Sequence, residues 1–172
     1  MVELLVTVAV TALMASLIIV YGSASRQQVT LSIETAKLGQ IISQAKSMSI
    51  STYNQTPAPC GYGVHIDYNA QKYYLGSYQV LPDCKSVVSG AAFQMGWTVV
   101  LKSYALAAEV RFSYLTATNS VDDVFFVPPD PKTVTSVSGL LSTQASGNVF
   151  LVTKDGAVTK KISINPVGQI NF

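Results

Sequence analysis

Charge is what this chain has least of. Asp, Glu, Lys and Arg make up 12% of its 172 residues, against about 25% in ordinary soluble domains. Between Glu3 and Arg26 there is no charged side chain at all. Histidine occurs once, as His65, and cysteine twice, as Cys60 and Cys84. No proline precedes Pro57, and the only glycines before residue 52 are Gly22 and Gly39. Each scarcity narrows the function. One histidine and two cysteines make a poor ligand set for a metal. No nucleophile elbow, phosphate loop or dinucleotide fingerprint is present, so neither a catalytic set nor a cofactor site is expected. A net charge of +2 is too small to imply a nucleic acid or an acidic substrate by itself.

What the chain has instead is a long apolar start. Residues 4–21 (LLVTVAVTALMASLIIVY) carry no charge, and 2–21 as a helix would cover about 30 Å, the thickness of a bilayer's hydrocarbon core. Past Arg26 the pattern turns amphipathic. Leu31, Leu38, Ile41, Ile42, Ala45 and Met48 form one helical stripe, while Arg26, Gln27, Glu34, Lys37, Gln40 and Lys46 take most other positions. One continuous helix on the order of 75 Å long is predicted, weakest at Tyr21-Gly22-Ser23. Three other readings compete: a signal peptide cleaved after Ser25, a plain membrane anchor, and a buried core helix.

Glu3 is the residue that needs an explanation, since a carboxylate at a bilayer costs several kcal/mol unless paired or placed at the interface. MVELLVTVAV resembles the N-terminus of type IV prepilins and type II secretion pseudopilins, in which a Gly-Phe-Thr-Leu-x-Glu-Leu pattern leads into an apolar run. On that alignment Met1 takes the place of the family's leucine, Val2 the variable place, Glu3 the glutamate and Leu4 the leucine that follows. The Gly-Phe-Thr and a basic leader would then lie upstream of Met1. The resemblance implies processing by a prepilin peptidase and entry into a filament through Glu3, Leu4 and Leu5. There Glu3 would pair with a neighbouring subunit's N-terminal amine and set register. Its other implied partners are further pilin subunits, an inner-membrane assembly platform and membrane lipid. The family often has a proline near mid-helix; this chain has Val20 and Gly22 there.

After Tyr53 short alternating runs replace the helix. Residues 62–68 and 72–80 read as a hairpin; later strand candidates are 98–102, 109–115, 123–127, 148–154, 158–164 and 169–172, with an Asp-Gly turn at Asp155-Gly156. Pro128 to Pro131 reads as a rigid surface loop. The run Tyr62-Gly63-Val64-His65-Ile66 and the ending from Ile162 to Ile170 resemble the GspH/FimT-type minor pseudopilins. The expected fold is therefore α+β: a long N-terminal helix, membrane-spanning in its first half, packed on an antiparallel sheet or small sandwich. Residues 1–25 would form the membrane or filament-core half, 26–53 the amphipathic half, and 54–172 a β-rich domain. The chain is expected to cross the inner membrane once, with its domain outside the cytoplasm, before joining a pilus or pseudopilus.

A disulfide between Cys60 and Cys84 fits an exported domain. It would close a loop of about 24 residues, worth about 3 kcal/mol; two buried free thiols are the alternative. His65 reads as an ordinary strand residue, packed or exposed, and Asp122-Asp123 as a solvated start to a strand, with a cation site as the alternative. The tyrosines at 62, 68, 73, 74 and 78 read as half of a core with hydroxyls reaching solvent. Two further functions compete with the filament subunit. One is a secreted binding module released after Ser25. The other is a DNA-binding minor pilin using Lys154, Lys160 and Lys161, although Asp155 interrupts them and Gly168 to Asn171 lacks the arginine some relatives use.

Overall fold

The computed structural model describes residues 2–51, 59–78, 98–114, 120–128, 132–137, 139–142 and 146–172, with the backbone alone at 17–24, 98 and 132. One helix comes first: α1, Val2–Ser51. The strands follow as β1 Gly61–Asp67, β2 Lys72–Tyr78, β3 Thr98–Ala105, β4 Val110–Ser113, β5 Asp123–Val127, β6 Lys132–Val137, β7 Leu140–Ser142, β8 Gly147–Thr153, β9 Thr159–Ile164 and β10 Ile170–Asn171. Six of them pair as sheet A in the order β3-β2-β1-β5-β6-β7, and four as sheet B in the order β10-β9-β8-β4. Every strand pairing is antiparallel.

These sheets correct the expected architecture. The described side chains of α1 fall into two runs, 2–16 and 25–51, and only the second packs on anything. Its inner face sits under both sheets, touching β1, β2 and β5 of one and β4, β8 and β9 of the other. The chain is thus not a long helix lying along one sheet. The expected membrane-spanning half is not found either: among the described residues no helix is long and apolar enough to cross a membrane. The expected single-pass inner-membrane placement is overturned by the same finding.

The main core follows from the alternation of each strand. Val64 and Ile66 of β1, Tyr73 and Leu75 of β2, and Val124 and Phe126 of β5 point to one face of sheet A. Phe112, Val149, Leu151, Ile162 and Ile164 supply sheet B, and Leu31, Leu38, Ile42 and Ala45 supply the helix. Ser49, fully buried, bolts the end of the helix to sheet A. Its hydroxyl donates to the Phe126 carbonyl at 2.6 Å and accepts from the Tyr62 N–H at 2.9 Å. Lys46 adds a second tie by donating to the Gly168 carbonyl at 3.0 Å. Glu34, expected on the solvent side, is buried beside Lys37 at 3.5 Å.

The β1–β2 hairpin pairs Gly61 with Tyr78 through to Asp67 with Lys72. Asp67 builds its turn by accepting from the Asn69 and Ala70 N–H groups at 3.0 and 2.8 Å. The Asp155-Gly156 turn joins β8 to β9, with Gly156 at φ 77. Strands β6 and β7 were not expected. Thr133, Thr135 and Ser136 of β6 are buried although polar, which hides the strand from an apolar count. Of the proline-rich loop only Pro128 is described; 129–131 lie outside the described residues.

Two glycines give opposite predictions. A Cβ at Gly63 would stand 2.3 Å from the Val124 carbonyl oxygen and 2.6 Å from the Phe125 Cα, which cannot move without breaking the β1–β5 pairing. Gly63→Ala should lower stability by about 2 kcal/mol or more. The three atoms nearest a Cβ at Gly39 all belong to the ring of Phe172, an exposed side chain that can swing aside. Gly39→Ala should then gain up to about 1 kcal/mol of helix propensity. Urea midpoints of the two variants check this, and the reverse order would contradict the packing described.

Candidate assembly surface

The site most in need of a partner is the start of α1. From Val2 to Ser16 no described side chain is buried or even half-buried. Val2, Leu4, Leu5, Val6, Val8, Val10, Leu13 and Met14 are each at least half exposed, with Leu4 at 72% and Leu5 at 73%. Thr7, Thr11 and Ser16 turn their hydroxyls back onto helix carbonyls at 2.8 to 3.0 Å, so the polar members of the run add little polarity to its surface. Glu3 is its one charge. It lies in the first turn, where a carboxylate favours the helix N-terminus by roughly 0.3–1 kcal/mol. Helix electrostatics thus account for an acid at this end, and not for the apolar surface behind it.

Fully burying one such aliphatic side chain gains about 1.5–3 kcal/mol, so the eight together represent roughly 12–24 kcal/mol before association costs. Those costs are about 4–15 kcal/mol. The two ranges overlap, with most of the gain lying above the cost.

The exposed surface continues along the packed half of the helix. Opposite the buried stripe, Val29, Ile33, Ala36, Gln40, Ser43, Ser47 and Ile50 are all exposed, at alternating steps of four and three. That is the spacing of a coiled-coil seam, and Ala36, Ser43 and Ser47 are small enough for another helix to approach closely. The spacing was present in the sequence. The bulkier inner stripe and the polar residues at Gln40, Ser43 and Ser47 obscured it.

The other singled-out residues are scattered. Cys60 is buried and disulfide-bonded, and its N–H donates to the Tyr78 carbonyl at 2.9 Å; Cys84 lies outside the described residues. Lys160 and Lys161 pair with Leu151 and Phe150, so they point to opposite faces of sheet B, while Lys154 sits in the turn between β8 and β9. The three lysines are not brought onto one face. Asp155 in that turn has its carboxyl held below the usual range by the Thr153 hydroxyl and the Ala157 N–H.

His65 and Asp123 depart furthest from expectation. Asp123, expected in solvent, is 1% exposed, and its Oδ1 lies 2.8 Å from His65 Nδ1. Tyr78, also buried, donates to the same oxygen at 3.1 Å. Tyr73 is fully buried, so its hydroxyl and that of Tyr78 do not reach solvent. Burial first, and then the charge of Glu34, push the Tyr73 phenol well above its usual range. Among the described residues no group of three or more His, Cys, Asp or Glu side chains could hold a metal ion.

No family of proteins, curated protein or solved structure matches this chain. The function therefore rests on the surface itself.

Two substitutions separate the faces of the helix. Leu38→Ala empties a fully buried position and should cost about 2–5 kcal/mol. Ile33→Ala, at a site 58% exposed, should change domain stability by no more than about 0.5 kcal/mol yet weaken self-association. Denaturation curves and sedimentation velocity on the same samples distinguish them. Equal costs in stability would mean that the outer face is covered within the chain.

Proposed function

We propose that this chain is a structural subunit of a filament of the type IV pilin or pseudopilin kind, assembled through its N-terminal helix. One observation carries the proposal: an apolar helical run, 2–16, exposed on every side with a single acid in its first turn. A second copy of the same helix is the occupant that fits. Each copy offers the same apolar surface, and the small residues Ala9, Ala12, Ala15 and Ser16 allow backbones to come close. Glu3 then does what a single buried acid does well. Inside a helix bundle it is costly alone and tolerable beside a cation, so it admits only the stagger that brings a neighbour's N-terminal amine to it. The outer stripe from Val29 to Ile50 extends the contact along the packed half of α1, leaving both sheets on the outside of the assembly.

Removing the acid tests this directly. Glu3→Ala should reduce subunit recovered in filaments sheared from producing cells by tenfold or more, on the order of 1.4 kcal/mol or greater per subunit. The thermal midpoint of the sheets should stay where it was, because Glu3 is exposed at the far end of the helix from the packed run. Undiminished incorporation would remove Glu3 from the account. Recovery of a chain that begins at Arg26 and stays monomeric would favour the secreted-module reading instead.

A further inference from the structure

The face of sheet A turned away from the helix holds a charge that the assembly surface does not use. Asp123 stands in the middle strand register of that face, between His65 of β1 and Ser136 of β6, its direct cross-strand partners. Around it Tyr78, Phe125, Val134 and Leu141 form a second small apolar core, with Tyr78 and Phe125 stacked at 4.5 Å. An ionised acid buried to this degree requires a cation. Among the described residues His65, at 2.8 Å, is the side chain in ion-pair contact with it. The Oδ2 of Asp123 and the hydroxyl of Ser136 are both buried without a hydrogen-bond partner, and neither supplies the positive charge that a protonated His65 brings.

We propose that His65 and Asp123 form a proton-operated latch across β2, β1 and β5, tightening this face of sheet A in mildly acidic surroundings and loosening it in alkaline ones. The pair spans three strands, since Tyr78 of β2 donates to the carboxylate that His65 of β1 also holds. The groups facing it are few. Tyr74 stacks on the imidazole at 6.0 Å, Asp67 and Asp122 add negative charge near the ring, and exposed Lys72 lies across from Asp67 at the rim. Burial by itself pulls the imidazole down. The hydrogen bond and charge of Asp123, reinforced by Asp67 and Asp122, outweigh it and leave the ring raised above its ordinary 6.5. The folded chain thus holds this proton more tightly than the unfolded chain does. The resulting stability is complete below pH 6.5 and disappears as pH rises through the folded ring's own value. Each unit between those two values appears as about a tenfold loss in the folding equilibrium constant.

The test uses the full chain in a mild non-ionic detergent, from about pH 5.5 to about pH 8.5, the range over which histidine titrates. Urea midpoints of the wild type should fall as pH rises, while those of His65→Gln and Asp123→Asn stay flat. If either variant does not fold, the wild type still decides the matter. Its imidazole resonances should titrate above 6.5, and amides of β1, β2 and β5 should lose protection at alkaline pH while those of β8 and β9 keep theirs, after correction for intrinsic exchange. A ring titrating at or below 6.5, a variant that keeps the wild-type slope, or equal loss of protection in both sheets would overturn the latch.

Discussion

Burial of one face of α1 beneath both sheets is the constraint from which the rest of the structure follows. Leu31, Leu38, Ile42 and Ala45 belong to the same core as β1, β5, β8 and β9, so neither sheet is closed without the helix. Ser49 fixes the depth of the helix through two backbone groups on adjacent strands of sheet A, and Lys46 ties it to the loop before β10. With the inner face committed, helical geometry dictates what remains outside. The residues opposite it, from Val29 to Ile50, have no place in the domain, and residues 2–16 extend beyond any described strand that could cover them.

The two halves of the helix are therefore different kinds of surface. The packed half turns one apolar stripe inward and leaves outward a mixed stripe of Val29, Ile33 and Ile50 with small and polar residues between them. The leading half is apolar on every side, which neither a domain surface nor a one-sided amphipathic contact requires. A bundle of like helices does require it, because each helix then meets neighbours all round. In the proposed filament Glu3 would supply what an apolar bundle lacks, a position along the axis with a strong preference. Without it the contacts would be nearly as good at several staggers.

Much of the fold was legible because strand alternation and turn chemistry are local. Alternation through Val64, Ile66, Tyr73 and Leu75 was enough to place the first hairpin, and Asp155-Gly156 marked the turn between β8 and β9. What escaped depends on neighbours distant in sequence. Strand β6 buries threonines and a serine, which look solvent-facing until β5 and β7 enclose them. Asp123 looked solvated because the histidine that pairs with it lies 58 residues earlier. The division into two sheets is carried by which strands meet. The run at 2–16 was readable as apolar, but its hydropathy could not say whether lipid or protein would cover it, and among the described residues no helix is long and apolar enough to cross a membrane.

The central claim is that copies of this chain cover one another's leading helices. A photo-reactive side chain at Val8, activated in assembled material and followed by mass spectrometry of the joined peptides, tests it most directly. The account predicts cross-links from Val8 into residues 2–16 of another copy. Cross-links confined to the strands, or to a different protein, would contradict it.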